Sequence, residues 1–511
     1  MTAVAISAGA SSTAIELNIN SNDRIGWDHI PWGMAYKTVH RLQMRIAKAY
    51  REGKHGKVKS LQRILTHSFH AKLIAVKRVT ENQGAKTPGI DNITWKTPKQ
   101  KMQAALSLKR RGYRTQPLKR TYIPKKQKDK LRPLSIPVMQ CRAQQALHLL
   151  ALEPIAETIA DKNSYGFRPN RSTADAHEQC HIALSKSNSA QFILEGDIKS
   201  CFDKISHQWL MEHIPIDKEM LKKWLTAGYL EKGSVYPTDC GTPQGSVISP
   251  ALLVITLSGL EQTVKSAVLK RGDKVNVCSY ADDFIITGAT REVLENKVMP
   301  AVETFLKERG LELSKEKTKI THISEGFDFL GVNIRKYNGK LISKPARGNV
   351  KKFLENIRET VHKNRTAKTE NLIHQLNPKI VGWANYHRHI CAKKTFASVN
   401  HYIFKTLWCW AKRRHSNKGG KWIRQKYFRT RGIQQWVFSA KIKDKKGNLK
   451  NLDLVEISKT PIKRHVKIRA GATPYDPAYQ EYFTKRQQLR KDKKLYRTCK
   501  SSWSPWWELT S

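Results

Sequence analysis

Two adjacent aspartates, Asp282 and Asp283, interrupt an otherwise apolar run, VCSYADDFIITG (277–288). The flanking residues are of β type, so the pair sits as at the tip of a hairpin. Neighbours in a straight strand point to opposite faces, whereas a tight turn can bring both carboxylates toward one point. Such groups among apolar residues are costly unless neutralised, and a hard divalent cation such as Mg²⁺ does this through oxygen ligands. A turn using Asp only for its turn propensity would look the same in isolation. A third carboxylate adds weight to the metal reading. QFILEGDIKSCFDKI (191–205) places Asp197 at the end of another apolar strand. If the strands pair, Asp197 faces Asp282 and completes a cage able to hold two metals for phosphoryl transfer. Asp203, just before a helix-like stretch, reads instead as an N-cap.

The elements that must position these residues follow from the apolar spacing. Residues 191–340 carry strand signals in QFILEGDI, KVNVCSY, DFIITG, TKITHI and FDFLGVNI, with helical stretches such as 293–310 between them. Strands alternating with helices predict an α/β core. From Trp32 to Val79 apolar residues recur at three- and four-residue spacing, predicting helices. ENQGAKTPGIDN (81–92) is boundary punctuation, and KRTYIPKKQKDKLRPLSIP (119–137) reads as two strand-like ends around a charged turn. Residues 1–25 read as a loose leader without the basic start of a secretory signal.

Charge narrows the partner. The 511 residues include 93 Lys+Arg against 42 Asp+Glu, a net charge of +51, and 39% are hydrophobic. That is enough apolar content for cores, which excludes a wholly disordered polyelectrolyte. So large a positive charge repels itself unless a polyanion neutralises it, which points to nucleic acid. Between Asn371 and Lys443 there is no Asp or Glu, while aromatics alternate with Lys and Arg. This composition suits a surface that grips phosphates and stacks on bases. The eight cysteines are scattered without a CxxC pair, which argues against a disulfide scaffold and against zinc. The most apolar run, 247–260, is too short to span a membrane. His387 and His389 stand two apart and do not share a helical face, so a metal role there is not expected.

Tyr-Ala-Asp-Asp, the upstream Asp197 and GTPQGSVISP (241–250) between them resemble a reverse transcriptase. YGFRPNRS (165–172), KLRPLSIP (130–137), FDFLGVNI (327–334) and GWANYHRH (382–389) narrow the resemblance to the group II intron-encoded reverse transcriptase/maturases. It implies an α+β, multidomain right-hand polymerase. Its parts would be an N-terminal helical extension (1–85), fingers (86–190), an α/β palm with the YADD hairpin (191–345), a helical thumb/maturase domain (346–440) and a basic DNA-binding segment (441–511). It further implies RNA-directed DNA polymerisation from dNTPs with two Mg²⁺, binding of the intron RNA, help with its splicing, and mobility by target-primed reverse transcription. The other partners implied are target DNA and an RNA template–DNA primer duplex, with no membrane and no zinc. Localisation would be cytoplasmic (nucleoid-associated) or organellar, not secreted.

By the same resemblance Asp197, Asp282 and Asp283 are the catalytic carboxylates, with Ile198 a further metal contact. Lys125 and Arg132 reach the triphosphate, and Ser200 and Cys201 offer it backbone N–H groups. Phe202 blocks a ribose 2′-hydroxyl and Gln244 lies against the incoming nucleotide. From the acid-free, aromatic-interleaved composition rather than the resemblance, Trp383, Tyr386, Arg388, Lys412, Arg413, Arg414 and Trp422 are the expected RNA contacts, with Trp422 the expected stacker because Lys421 and Arg424 flank it in a stretch too polar for a core strand. Lys317 either approaches primer or nucleotide or is a solvated helix end. YDPAYQEYFTKR (475–486) resembles the approach to an HNH nuclease, yet the Cys pairs of that nuclease are absent, so second-strand cleavage is not expected. Two alternatives stay open: a maturase that has lost polymerisation, and a domesticated or CRISPR-associated reverse transcriptase.

Overall fold

The computed structural model describes residues 26–124, 131–268, 270–443 and 447–495. Lys125 and the leader lie outside them. Helices α1 (Trp32–Arg51), α2 (His55–His67) and α3 (Phe69–Thr80) bury the stripe that includes Val39, Ile46, Leu61, Leu65 and Val76. Helix α4 (Pro98–Ser107) opens with a capping box between Thr97 and Gln100. Strands β1 (Leu118–Pro124) and β2 (Leu131–Ile136) pair antiparallel, as their sequence suggests. Helix α5 (Met139–Ile159) is apolar almost all round and serves two cores at once. Leu147, Leu150 and Ile155 pack on the N-terminal helices, whereas Leu149, Leu152 and Ala156 pack on the central sheet layer.

Helix α6 (Thr173–Leu184) leads to β3 (Phe192–Asp197) and the single-turn α7 (Cys201–Lys204). Helices α8 (His207–His213) and α9 (Lys218–Leu225) follow, then β4 (Tyr229–Glu231) and β5 (Ser234–Tyr236), which extend the β1–β2 sheet in the order β2-β1-β4-β5. After α10 (Ser249–Leu257) and α11 (Leu260–Ser266) come β6 (Asn276–Tyr280), β7 (Asp283–Gly288), α12 (Met299–Lys307) and β8 (Lys319–His322). Strands β6-β7-β3-β8 form one sheet, antiparallel at every pairing. The alternation of strands and helices along the chain therefore does not build parallel βαβ units, and the centre is of α+β type. Both faces are covered. Ile193, Cys278 and Ile285 face one core and Leu194, Val277, Phe284 and Ile286 the other, which is why these strands read as continuous apolar runs.

FDFLGVNI is not one strand but a hairpin of β9 (Phe327–Phe329) and β10 (Val332–Tyr337), continued by β11 (Lys340–Pro345). Its two turn residues, Leu330 and Gly331, both have positive φ (49° and 77°), as a tight hairpin of matching twist requires. Helices α13 (Arg347–Lys363), α14 (Thr369–His387) and α15 (Lys393–Arg414) then pack around Phe353, Ile357, Leu376, Ile380, Phe396 and Leu407. Helix α16 (Gly420–Tyr427) and a sheet of β12 (Phe428–Arg431), β13 (Gln434–Lys443) and β14 (Leu449–Asp453) complete this layer, and α17 (Gln480–Leu495) is the last element.

Residues 463–476 return as a strap across the molecule. The fully buried Asp175 carboxylate accepts from the Ile468 N–H (2.7 Å), His465 Nε2 (2.8 Å), Arg486 (3.3 Å) and Ser172 Oγ (2.7 Å). Arg171 donates to the Ala470 and Ala472 carbonyls, Tyr475 to Glu153, and Arg51 pairs with Asp476. Under the strap His177 and His389 stack with ring nitrogens 3.0 Å apart. His177 Nε2 faces the Phe329 carbonyl at 3.1 Å and must donate to it, so its Nδ1 accepts from His389.

These histidines define an acid-sensitive joint. Burial, above all, pushes His177 and His387 down to about 3 and His389 down to about 4. They stay neutral in the fold while the unfolded chain protonates below its ordinary value near 6.5, so their stability contribution is full above that pH and is lost on acidification toward 3–4. Each contributes a slope of up to roughly 1.4 kcal/mol per pH unit. The melting temperature should drop between pH 7 and pH 5, and His389→Asn should flatten that dependence. Equal melting temperatures at both pH values would refute the assignment.

Candidate active site

The register of the central sheet sets Asp197, the last residue of β3, directly opposite Asp283, the first residue of β7. Tyr280 pairs with Asp283 across the β6–β7 hairpin, leaving Ala281 and Asp282 as its two-residue turn. Ala281 takes a φ of 56°, a left-handed value that non-glycine residues seldom adopt. The YGFRPNRS segment holds the turn from outside. The Tyr165 N–H donates to the Ser279 carbonyl (2.9 Å) and the Ser279 N–H to the Asn163 carbonyl (3.0 Å). Gly166 lies so close that a Cβ there would meet the Ala281 nitrogen at 2.1 Å. Arg168 anchors the segment by forking onto Glu157 at 2.6 and 3.2 Å. On β3, Gly196 is needed because a Cβ would meet the Phe284 ring at 2.2 Å.

Like charges directly opposite on paired strands repel, and Lys317 answers them. Its ammonium donates to Asp197 Oδ2 at 2.8 Å, and that bond, with the nearby Asp283 and Asp282, holds its pKa above the ordinary lysine value. Burial pushes the Asp282 carboxyl up and Asp197 adds to the rise, while Arg132 and Lys317 act against it. The buried Cys201 thiol is likewise raised, first by burial and then by Asp282, Asp203 and Asp197. Asp197, Asp282, Arg132, Lys317 and Cys201 therefore share one electrostatic neighbourhood. The backbone bonds around Ile198 run from the Lys199 N–H to Glu312 and from the Ser314 N–H to Asp197, which are its neighbours' groups. Asp197, Asp282 and the Ile198 carbonyl are hard oxygen donors of the kind Mg²⁺ takes. Among the described residues, however, no three acidic, His or Cys side chains already converge as a metal cage. The donor chemistry fits a cation, and one of these donors, Asp197, is bonded to the Lys317 ammonium.

The neighbouring expectations sort as follows. Ser200, with φ 47°, is the N-cap of α7, so Asp203 is not the cap but lies within the turn, where Gln244 Nε2 donates to both its oxygens at 3.3 Å. The Gln244 loop is pinned from two sides: the Ser135 N–H donates to the Gln244 carbonyl (2.8 Å), and Gln145 on α5 accepts from Ser246 Oγ and the Val247 N–H. Phe202 is half-buried and meets Phe167 edge-on at 6.0 Å. Trp383 and Tyr386 are built into packing. Trp383 stacks on Phe353 and donates to Asn349, and the Tyr386 hydroxyl donates to the Leu330 carbonyl. Arg388 is half-buried and its carbonyl accepts from the Lys463 N–H. Arg414 lies over Trp410 and donates to the Arg365 and Ala367 carbonyls, whereas Lys412 and Arg413 are exposed. Trp422 is half-buried beside His415, with Lys418 and Lys426 over its ring. The Lys317–Asp197 pair had no signal in the sequence beyond a basic run, because its partners are 120 positions apart.

Comparison with known proteins places this geometry. The model of "Reverse transcriptase (RNA-dependent DNA polymerase)" matches residues 123–334, "N-terminal domain of reverse transcriptase" matches 27–108, and "Group II intron, maturase-specific domain" matches 350–428. Protein YkfC of Escherichia coli (strain K12) is 33% identical over 304 residues, covering 51% of this chain and 79% of that protein. The chain belongs to the group II intron-encoded reverse transcriptases. Group II intron-encoded protein LtrA of Lactococcus lactis subsp. cremoris is 28% identical over 402 residues, covering 63% of this chain and 65% of LtrA. An uncharacterized 91 kDa protein in the cob intron of Schizosaccharomyces pombe is 26% identical, and the match spans 51% of its length. The family's right-hand polymerase fold accommodates the antiparallel four-stranded sheet with Asp197, Asp282 and Asp283 at one end. Among the described residues no helix is long and apolar enough to cross a membrane.

The Lys317 pair makes a prediction about metal loading. If the ammonium holds a cation's place, Mg²⁺ must displace it. Lys317→Gln should then melt earlier than the parent in EDTA, from unrelieved carboxylate repulsion, and gain more from added Mg²⁺. Parallel thermal shifts in the two proteins would show that the ion and the lysine do not compete.

Proposed function

We propose that the chain polymerises DNA on an RNA template at the Asp197–Asp282–Asp283 site. We further propose that it binds the intron RNA, assists splicing and supports intron mobility by target-primed reverse transcription. The observation that carries this reading is the cross-strand pairing of Asp197 with Asp283, Asp282 standing in the adjoining turn, within the segment matched by the reverse transcriptase model. Asp197, Asp282 and the Ile198 carbonyl would hold the divalent cations. When bound, these supply charge neutralisation for the attacking 3′-hydroxyl and the leaving pyrophosphate. Arg132 on β2 offers a fork to the triphosphate, and Lys125, outside the described residues, would add a point charge. The left-handed Ser200 and the first turn of α7 present the N–H groups of Ser200 and Cys201 to the same phosphates. Gln244, fixed by Ser135 and turned onto Asp203, lines the base-pair side, and Phe202 lies where a ribose 2′-hydroxyl would press.

The fingers are assigned to 86–190, the palm to 191–345 and the thumb/maturase domain to 346–440, with 1–85 as the N-terminal extension and 441–511 as a basic segment for target DNA. Lys412 and Arg413 are the exposed cations best placed for intron RNA.

Primer extension on an RNA template with dNTPs and Mg²⁺ tests the reading. Asp197→Asn and Asp282→Asn should each slow extension by roughly 10²-fold or more, while intron RNA affinity, which comes from the basic surface, stays close to the parent's. An inactive parent that still binds intron RNA would favour a non-polymerising maturase. For the nucleotide pocket, Phe202→Val should lower the ratio of kcat/KM for dNTP over rNTP, since discrimination is such a ratio. An unchanged ratio would make Phe202 a packing partner of Phe167 only.

A further inference from the structure

The acid-free stretch carries an open apolar hollow of about 590 Å³ lined by Phe404, Trp408 and Trp436. Phe404 and Trp408 lie one turn apart on α15 with rings near parallel (19°), and Trp436 stands edge-on to both at 5.9 and 5.5 Å. The buried Phe428 is the floor, touching all three at 5.7 to 5.9 Å. Such a cluster could be ordinary core, but three observations oppose that.

First, Trp436 is 37% exposed and the hollow opens to solvent. Second, the β12–β13 ladder slips between the pairs Arg429–Val437 and Arg431–Gln434, so Gln435 and Trp436 together oppose Thr430. At this bulge Trp436 takes a φ of 65°, a conformation bulky residues rarely tolerate and glycine accepts freely. A strained bulge that aims an indole outward is a feature associated with binding sites rather than packing. Third, the rim is cationic. Arg424 lies over the Trp436 ring at 4.6 Å, and Lys405 and Lys412, three residues before and four after Trp408, are exposed on its face of α15.

We infer that this hollow takes an unpaired RNA base, laid on the near-parallel Phe404 and Trp408 rings with Trp436 edge-on beside it, and its phosphates on Lys405, Lys412 and Arg424. A π-faced slot without polar lining selects for a planar base and not for its identity, and the surrounding cations select for a polyanion. The inference rests on the RNA-binding reading above and adds stacking residues beyond Trp383, Tyr386 and Trp422.

The test uses the full chain and the intron transcript, with filter binding over a range of salt. Trp436→Gly suits the left-handed φ but removes contacts with Phe404, Trp408 and Phe428, so binding is compared at a temperature where the variant is shown to be folded; Trp408→Leu is a second variant that keeps an apolar helix face. Each should weaken binding roughly 5- to 150-fold, the range of one stacked base. The slope of log K against log [salt] should not change, because no phosphate contact is removed. A 5-iodouridine-substituted transcript should photo-crosslink to Trp408 or Trp436. Unchanged affinity without that crosslink, in protein that still binds the transcript, overturns the stacking site and leaves the RNA-binding reading standing. A reduced salt slope, or preferential crosslinking to a DNA strand of the same sequence, overturns it as well. A parent chain that does not prefer the transcript to unrelated RNA removes the underlying reading and the site with it.

Discussion

Repulsion between carboxylates organises the end of the central sheet that carries Asp197, Asp282 and Asp283. The sheet register that makes Asp197 and Asp283 neighbours forces two anions together on adjacent strands, with a third in the turn beside them. An isolated hairpin would splay to relieve this. Here the backbone cannot, because each strand is clamped where the charges meet. Gly196 sits flat on Phe284, the 163–166 segment is bonded to β6, and Gly166 fits under Ala281 without room for a methyl group. Geometry held against electrostatic preference is a site that favours a counter-cation, whether the Lys317 ammonium or a metal.

The second organising feature is distribution of the same residues between two cores. Helix α5 faces the N-terminal helices with one side and the central layer with the other, while offering Gln145 to the Gln244 loop. The N-terminal helices and the Gln244 loop are therefore held by one helix with packed side chains on both sides. The central sheet is similarly shared, its other face belonging to the core that continues into α13–α15.

Much of this was legible in the residues. β3 and the β6–β7 hairpin read directly as apolar runs ending in aspartate, since strands buried on both faces carry no polar alternation to confuse them. The turn in FDFLGVNI was hidden because Leu330 takes the first positive-φ position in place of the Asn or Asp that advertises such a turn. Antiparallel pairing was not readable from alternation, which gives the order of elements and not their direction. Asp203 looked like a cap for the stretch that follows it, but Ser206 caps α8 by accepting from the Trp209 N–H, and Asp203 falls inside the single turn α7 that the left-handed Ser200 begins. Among the aromatics of the acid-free stretch, local polarity singled out Trp422, whereas exposure at Trp436 arises from a ladder slip that no composition records.

The strap from 463 to 476 has a consequence in time as well as in space. The Asp175 carboxylate, fully buried, depends on the Ile468 N–H, which is made 293 residues later. At synthesis rates of 5–20 residues per second, that partner arrives roughly 15–60 s after the aspartate itself. Through that interval the nascent joint between α6 and α14 must keep water on an anion that the finished protein seals away. The central sheet can form as soon as β8 is complete, but the strap closes only once Ile468 has been made. The clasp between the central sheet layer and the helical one is thus made after both of the layers it ties together, which already share a core through the sheet's outer face.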